Sequence, residues 1–232
     1  MQLFISAGGK GTRLAHLTKD MPKPMIPIAG KPVLHHLVDW AKQQGITEVI
    51  MMTGYKAEVI QDYFKNGEKF GMKIIHSREN QPLGTGGALK LAQKYAKGTF
   101  CYVNGDNMTE VNLKKVIEFH KQQQADITAV LFKAKNPENV DAFEMDNKGR
   151  ITSFIQKDQE LKGKGKFVHA GLCVMEPKIF GLMDKEVFNF EHEVYPKALQ
   201  KLKMVGYVTD EFIADMGTPE RLEEVRRVKE KK

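Results

Sequence analysis

Residues 7 to 30 constrain this chain more than any other stretch. They come directly after a short apolar run, Leu3-Phe4-Ile5-Ser6, and begin Ala7-Gly8-Gly9-Lys10-Gly11-Thr12-Arg13-Leu14. Pro22, Pro24 and Pro27 come next, with no helical or strand period between them. Proline fixes φ, lacks a backbone donor and pushes the preceding residue out of the helical region, so no helix is expected here. A structureless loop of this length inside a compact domain is uncommon unless it is functional. Glycine lets backbone N–H groups approach a phosphate closely, and successive N–H groups form an anion-binding concavity.

The glycine pattern alone is loose, and it fails two familiar templates. A P-loop ends in Gly-Lys-Ser/Thr, and a dinucleotide fingerprint needs a third glycine where Leu14 stands. A kinase-type ATPase and a nicotinamide dehydrogenase are therefore disfavoured. The proline-rich residues beyond the glycines are more telling. Lys23 lies between Pro22 and Pro24, which fix its backbone and aim its ammonium. Arg13 and Lys23 then supply two positive charges beside a phosphate-binding loop. That arrangement suits charge stabilisation on a triphosphate during phosphoryl or nucleotidyl transfer.

Elsewhere, apolar runs of strand length alternate with segments of helical period, the pattern of βαβ units around a largely parallel sheet. Strands are expected at 2–6, 49–52, 73–76, 100–103 and 127–132, and helices at 31–44, 57–64, 84–95 and 111–123. From about residue 135 short strands and turns take over, with a hairpin signal at Asp146-Asn147-Lys148-Gly149. Two short helical stretches, strands near 204–208 and 212–215, and a charged helix over 220–232 complete the pattern. In that last helix Leu222, Val225 and Val228 form one apolar stripe.

Taken as a set, several blocks carry a resemblance. They are Gly9-Lys10-Gly11-Thr12-Arg13-Leu14, Pro22-Lys23-Pro24-Met25, Gly30-Lys31-Pro32, Gly54-Tyr55, Pro82-Leu83-Gly84-Thr85-Gly86-Gly87-Ala88-Leu89, Asn104-Gly105-Asp106 and Asp215-Met216-Gly217-Thr218-Pro219. In this order, over nearly the full length, the chain resembles the sugar-1-phosphate nucleotidyltransferases. It is most similar to short bacterial heptose- or mannose-1-phosphate guanylyltransferases and N-acetylmuramate-1-phosphate uridylyltransferases. The resemblance implies a Rossmann-like α/β/α sandwich with a mixed, mostly parallel sheet. It implies one domain over 1–232, with a nucleotide-binding half to about 134 and a sugar-phosphate half from about 135. It also implies Mg²⁺ and no organic cofactor.

Carried over by residue, the resemblance puts Ala7, Gly8, Gly9, Gly11 and Thr12, with Gly84 and Thr85, around the nucleotide. Arg13 and Lys23 would contact the triphosphate and stabilise departing pyrophosphate, while Asp106 and Asp215 would hold Mg²⁺. Two carboxylates completed by phosphate oxygens and waters suit that ion. Glu79 falls where the family places a base-contacting side chain. A carboxylate accepts two hydrogen bonds, and guanine offers N1–H and N2–H₂ where uracil and thymine offer one donor, so GTP is favoured. For the acceptor, the resemblance implies Asn107, Lys157, Gly171 and Glu191. Here the motifs depart: Gln156-Lys157-Asp158 replaces Glu-Lys-Pro, and His169-Ala170-Gly171 replaces Asn-Ala-Gly. His169 reads as a hydrogen-bonding strand residue, not a catalytic one.

Composition removes other classes. Hydrophobic residues make up 41% of the 232 residues, enough for a large core. No stretch approaches the roughly 18 apolar residues of a membrane span, and no leader precedes the first strand, so a cytoplasmic protein is expected. The net charge of +7 invites nucleic acid, but lysines are scattered among glutamates and suit an enzyme of phosphate ligands. Cys101 and Cys173 sit in apolar strand runs and read as buried thiols. The surface pattern marks no oligomer face. Two alternatives stay open: a phosphocholine-type cytidylyltransferase, and a non-catalytic nucleotide-sugar sensor. The sensor would be expected to have lost Arg13, Lys23 or an aspartate of the metal pair. A glycosyltransferase of similar fold would more typically carry Asp-x-Asp.

Overall fold

The computed structural model describes residues 1–133, 140–156 and 167–230. The chain runs β1 (Gln2–Ala7), α1 (Ala15–Thr18), β2 (Pro27–Ile28), β3 (Lys31–Pro32), α2 (Val33–Gln43), β4 (Glu48–Thr53), α3 (Ala57–Phe64), β5 (Lys73–Arg78), α4 (Gly84–Ala92), β6 (Phe100–Asn104) and β7 (Asn107–Thr109). It continues through α5 (Leu113–Gln122), β8 (Ile127–Lys133), β9 (Ala142–Met145), β10 (Ile151–Ile155), β11 (Phe167–Met175), α6 (Phe190–Lys201), β12 (Met204–Val208), β13 (Ile213–Asp215) and α7 (Pro219–Glu230).

β5, β4, β1 and β6 lie side by side and parallel, with β1 between β4 and β6. β11 joins β6 antiparallel, β8 pairs with β11, and β12 pairs parallel with β8. The β9–β10 hairpin, turning at the Asp146–Gly149 signal, extends from β11. Among the described strands of this sheet, all but β10 and β11 point one way, giving a mixed, mostly parallel sheet. Both faces are buried, so side chains alternate between two cores. Leu3, Ile5, Val49, Met51, Cys101 and Val103 face one core, under α2, α3 and α5. Phe4, Ile50, Met52, Phe100 and Tyr102 face the other, under α4 and α6. The two buried cysteines are free thiols.

The segment 7–30 is more ordered than its proline content implies. It holds 3₁₀ turns at Thr12–Leu14 and Lys23–Met25, besides α1. Pro24 is accommodated because it stands in the first turn, where its missing N–H is not needed. Leu14, Ile26 and Ile28 are buried in a third core with Met108, Met216, Leu222 and Val225. The charged last helix therefore docks its apolar stripe against the glycine loop, burying Leu222 and Val225 completely and Val228 partly.

Candidate active site

In open α/β sheets ligands bind beyond the carboxyl ends of the strands, where the strand order reverses. Here the chain adds β4 on one side of β1 and β6 on the other, so the reversal lies between β1 and β6. Ser6 pairs with Asn104 there, and the Gly105 N–H donates to the Ser6 carbonyl at 2.8 Å. The glycine loop leaving β1 and Asp106 leaving β6 are thereby brought together. Lys23 reaches back from the second 3₁₀ turn to ion-pair with Asp106. Its aliphatic stem packs on Gly11, where an added Cβ would stand 2.8 Å from the Lys23 Cβ.

A cleft of 860 Å³ opens above these strand ends, within the usual size of a small-molecule site. Ala7, Gly8, Gly9, Gly11, Thr12, Arg13 and Lys23 line one wall, and Glu79, Gly84 and Thr85 the other. Glu79 lies in the loop after β5, its side chain half-buried although Arg78 and Asn80 beside it are exposed. Its Oε2 accepts from the Leu83 N–H at 3.1 Å, and Oε1 lies so near Gly54 that a Cβ there would stand 2.3 Å away. Burial raises the Glu79 pKa above the ordinary carboxylate value. Tyr55, which donates to the Thr18 carbonyl at 3.1 Å, closes the same wall.

A second cleft of 600 Å³ adjoins the first and shares Arg13, Thr85, Asn104, Asp106 and Gly217 with it. Its floor is a gap in the sheet. β11 pairs with β6 over 172–175 and with β9 over 167–168, so residues 169–171 pair with neither on that edge. Gly171 turns there with φ +70°, and a Cβ would stand 2.7 Å from the Asn107 amide and 2.8 Å from that of Asn104. The Asn107 amide donates to the Ala170 carbonyl at 2.8 Å and lies 3.4 Å from the Gly171 carbonyl, which shapes this gap. Glu191 stands on the opposite wall with its carboxyl pKa raised by burial. His169 lies beneath, against Cys173 Sγ at 3.1 Å and the Tyr195 hydroxyl at 3.3 Å, its pKa lowered to about 4 by burial. Lys157 lies outside the described residues.

Asp215 reaches the junction on a two-stranded ribbon. In it β13 pairs antiparallel with β7, setting Asp215 opposite Asn107 and so beside Asp106. Its Oδ1 accepts from the Gly217 N–H at 2.6 Å, and Oδ2 ion-pairs with Arg221. Among the described residues no three His, Cys, Asp or Glu side chains converge on a metal position. The two aspartates nevertheless fit a hard dication whose remaining ligands are phosphate oxygens and water. Each carboxylate already holds one cationic side chain.

Over residues 4–232 the sequence matches the family model described as Nucleotidyl transferase. The chain belongs to the nucleotidyl transferase family. It is 36% identical over 221 residues to the D-glycero-alpha-D-manno-heptose 1-phosphate guanylyltransferase of Campylobacter jejuni, covering 95% of this chain and 96% of that one. To the mannose-1-phosphate guanylyltransferase of Mycobacterium tuberculosis it is 35% identical, over 93% of this chain and 61% of that protein. The crystal structure of HddC from Yersinia pseudotuberculosis complexed with GMP-PN superposes with a TM-score of 0.83 at 30% identity, covering 98% of each chain.

Several features of this transferase escape sequence reasoning. Asn104, Arg221 and Asp141, which His192 meets at 2.8 Å from behind, all line the second cleft. One signal points to Arg221. It stands in the first turn of α7, where the helix dipole disfavours a cation.

Proposed function

We propose that this transferase moves a guanylyl group from GTP to a sugar 1-phosphate of the mannose or heptose type, releasing pyrophosphate. One observation carries the reading: Arg13, Lys23, Asp106 and Asp215 converge where two ligand-sized clefts meet. The first cleft takes the nucleotide and the second the sugar phosphate, so both halves of the chain serve one reaction. The guanylyl activity named for the relatives and the GMP-PN complex of HddC support the choice of donor.

In this reading the Glu79 carboxylate accepts from guanine N1–H and N2–H₂, and the backbone of 8–12 cradles the phosphates. An acceptor phosphate oxygen attacks the α-phosphorus in line, and the bond to the pyrophosphate oxygen breaks opposite it. Arg13 and Lys23 stabilise charge on the departing pyrophosphate, and no covalent enzyme intermediate is required. Asp106 and Asp215 would hold Mg²⁺, which when bound neutralises charge on the phosphate oxygens. Glu191, with Asn107 and Gly171 shaping the wall, faces the sugar hydroxyls. The proposed setting is the cytoplasm, where GTP is available, and the product suits assembly of a cell-surface polysaccharide. Among the described residues no helix is long and apolar enough to cross a membrane.

The test is pyrophosphate release with Mg²⁺, crossing GTP, UTP, CTP and dTTP with mannose 1-phosphate, heptose 1-phosphate, N-acetylmuramate 1-phosphate and phosphocholine. Release with GTP and a mannose- or heptose-type acceptor is expected. Turnover confined to phosphocholine and CTP, or nucleotide binding without turnover on any pair, would overturn the reading.

A further inference from the structure

Guanine presents two adjoining edges to a protein. N1–H and N2–H₂ are donors, and O6 and N7 beside them are acceptors. A carboxylate accepts and cannot donate, so Glu79 serves the first edge only. The second edge then faces whatever flanks Glu79 in the first cleft.

The two flanks of Glu79 differ. On one, Oε2 accepts from the Leu83 N–H at 3.1 Å, just before α4. On the other, Oε1 hangs over Gly54, directly after β4. Arg78 belongs to this second flank. It ends β5, stands in register with Thr53 beside Gly54, and lines the cleft. β5 is the outermost strand at its end of the sheet, so Arg78 joins the cleft wall at the rim. Its guanidinium lies 3.8 Å from the Glu58 carboxylate of α3, with the two side chains 52% and 59% exposed. An ion pair so long and so well hydrated contributes little, so the arginine is free to turn to a ligand.

Asn80 and Gln81 line the same wall. A side-chain amide sets one donor beside one acceptor, which matches the N6–N7 edge of adenine. A guanidinium sets two donors side by side, which matches guanine O6 and N7. We propose that Arg78 reads the O6–N7 edge of the guanine base, completing with Glu79 a pair of opposite charges that selects GTP. Uracil and thymine carry no second acceptor beside O4, while adenine and cytosine turn an amino group toward the arginine's donors. The proposal rests on the guanylyl-transfer reading above and adds a second specificity-determining residue to it.

The experiment measures Kd by calorimetric titration for GTP, 7-deaza-GTP, ITP and UTP, with Mg²⁺ and without sugar phosphate, in wild type and Arg78→Ala. 7-deaza-GTP lacks the N7 acceptor, and ITP lacks the N2 amine that faces Glu79. Wild type is expected to bind GTP about 10-fold more tightly than 7-deaza-GTP, the size of one hydrogen bond to a charged group. In Arg78→Ala those two nucleotides should bind alike, while the preference for GTP over ITP stays as in wild type. An arginine that meets the phosphates would weaken GTP, 7-deaza-GTP and UTP by one common factor and leave the preference for GTP over 7-deaza-GTP intact. That result would sink the proposal, as would a wild type that binds GTP and 7-deaza-GTP equally. The pyrophosphate-release assay separates the two levels of the argument. A wild type that prefers another triphosphate overturns the guanylyl reading and the role of Arg78 with it. Preference for GTP with an unchanged 7-deaza ratio in Arg78→Ala overturns Arg78 alone.

Discussion

Glu79 shows how placement changes what one residue type can do. Its carboxylate hangs over the Gly8 and Gly54 backbone, and the loss of water around it raises its pKa above 4.5. Only the ionised form accepts from two guanine donors. As pH falls, Glu79 therefore loses that form sooner than an exposed glutamate would. GTP KM is expected to rise with acidity beginning above pH 4.5, and Glu79→Gln should raise KM and abolish that dependence. Steady-state kinetics over pH check this, the Gln variant correcting for titration of the triphosphate itself. Unchanged preference among the four triphosphates in Glu79→Gln would remove Glu79 from base recognition. Lys23 and Asp106 carry a different expectation. Their alanine variants should each lower kcat by roughly 10² or more, as for lost transition-state charge stabilisation, with an unchanged circular dichroism spectrum. Wild-type turnover in either would take it out of the catalytic set.

One interlock ties the two clefts together at the level of elements. The start of α4 receives the segment before α6: the Phe188 N–H donates to the Leu83 carbonyl at 2.9 Å, and the Gly86 N–H to the Phe188 carbonyl at 3.0 Å. The Thr85 hydroxyl accepts from the Phe190 N–H at 2.9 Å and faces Glu191 Oε2 at 3.4 Å. Leu83 also donates to Glu79, so the Glu79 and Glu191 carboxylates are held two residues apart on one segment, by the Leu83 N–H and the Thr85 hydroxyl. The Gly86-Gly87 pair makes this approach possible. A Cβ on Gly87 would stand 2.1 Å from the Glu186 carbonyl oxygen, a backbone atom that cannot turn aside. Gly87→Ala is expected to cost roughly 1–3 kcal/mol in urea unfolding, as overpacking does, and to raise acceptor KM more than GTP KM. Equal effects on both would mean the interlock supports the fold without positioning the acceptor wall.

For the molecule as a whole, three cores divide the labour. Two flank the sheet, and the third pins the glycine loop beneath α7. Two histidines make stability pH-dependent: His169 at the floor of the second cleft and the buried His120. His169 stays neutral down to about pH 4 when folded, against 6.5 for the free side chain, and burial lowers the His120 pKa too. Between those values the unfolded chain binds more protons, so stability is expected to fall as pH drops from 6.5 toward 4. His169→Gln should flatten that slope when urea midpoints are followed across the range. A slope equal to wild type would show that other groups carry it.

Much of this protein is legible in one dimension. Continuous apolar runs of strand length report a sheet buried on both faces, because successive side chains point to opposite cores. The proline-bracketed lysine and the glycine run mark the loop that lines the first cleft, because their backbone limits are local. The segment 57–64 is readable as a helix to the residue, and 204–208 as a strand. Tertiary structure alone decided what depends on separate segments meeting. The gap beside β11, the pairing of β13 with β7 that sets Asp215 next to Asp106, and the turn of Arg221 onto Asp215 have no periodic signature. The third core is equally hidden: a sequence shows an apolar stripe on the last helix but not its partner. Local backbone rules act over a few residues. A site assembled from residues 13, 23, 106, 215 and 221 exists only after the sheet has brought their strand ends together.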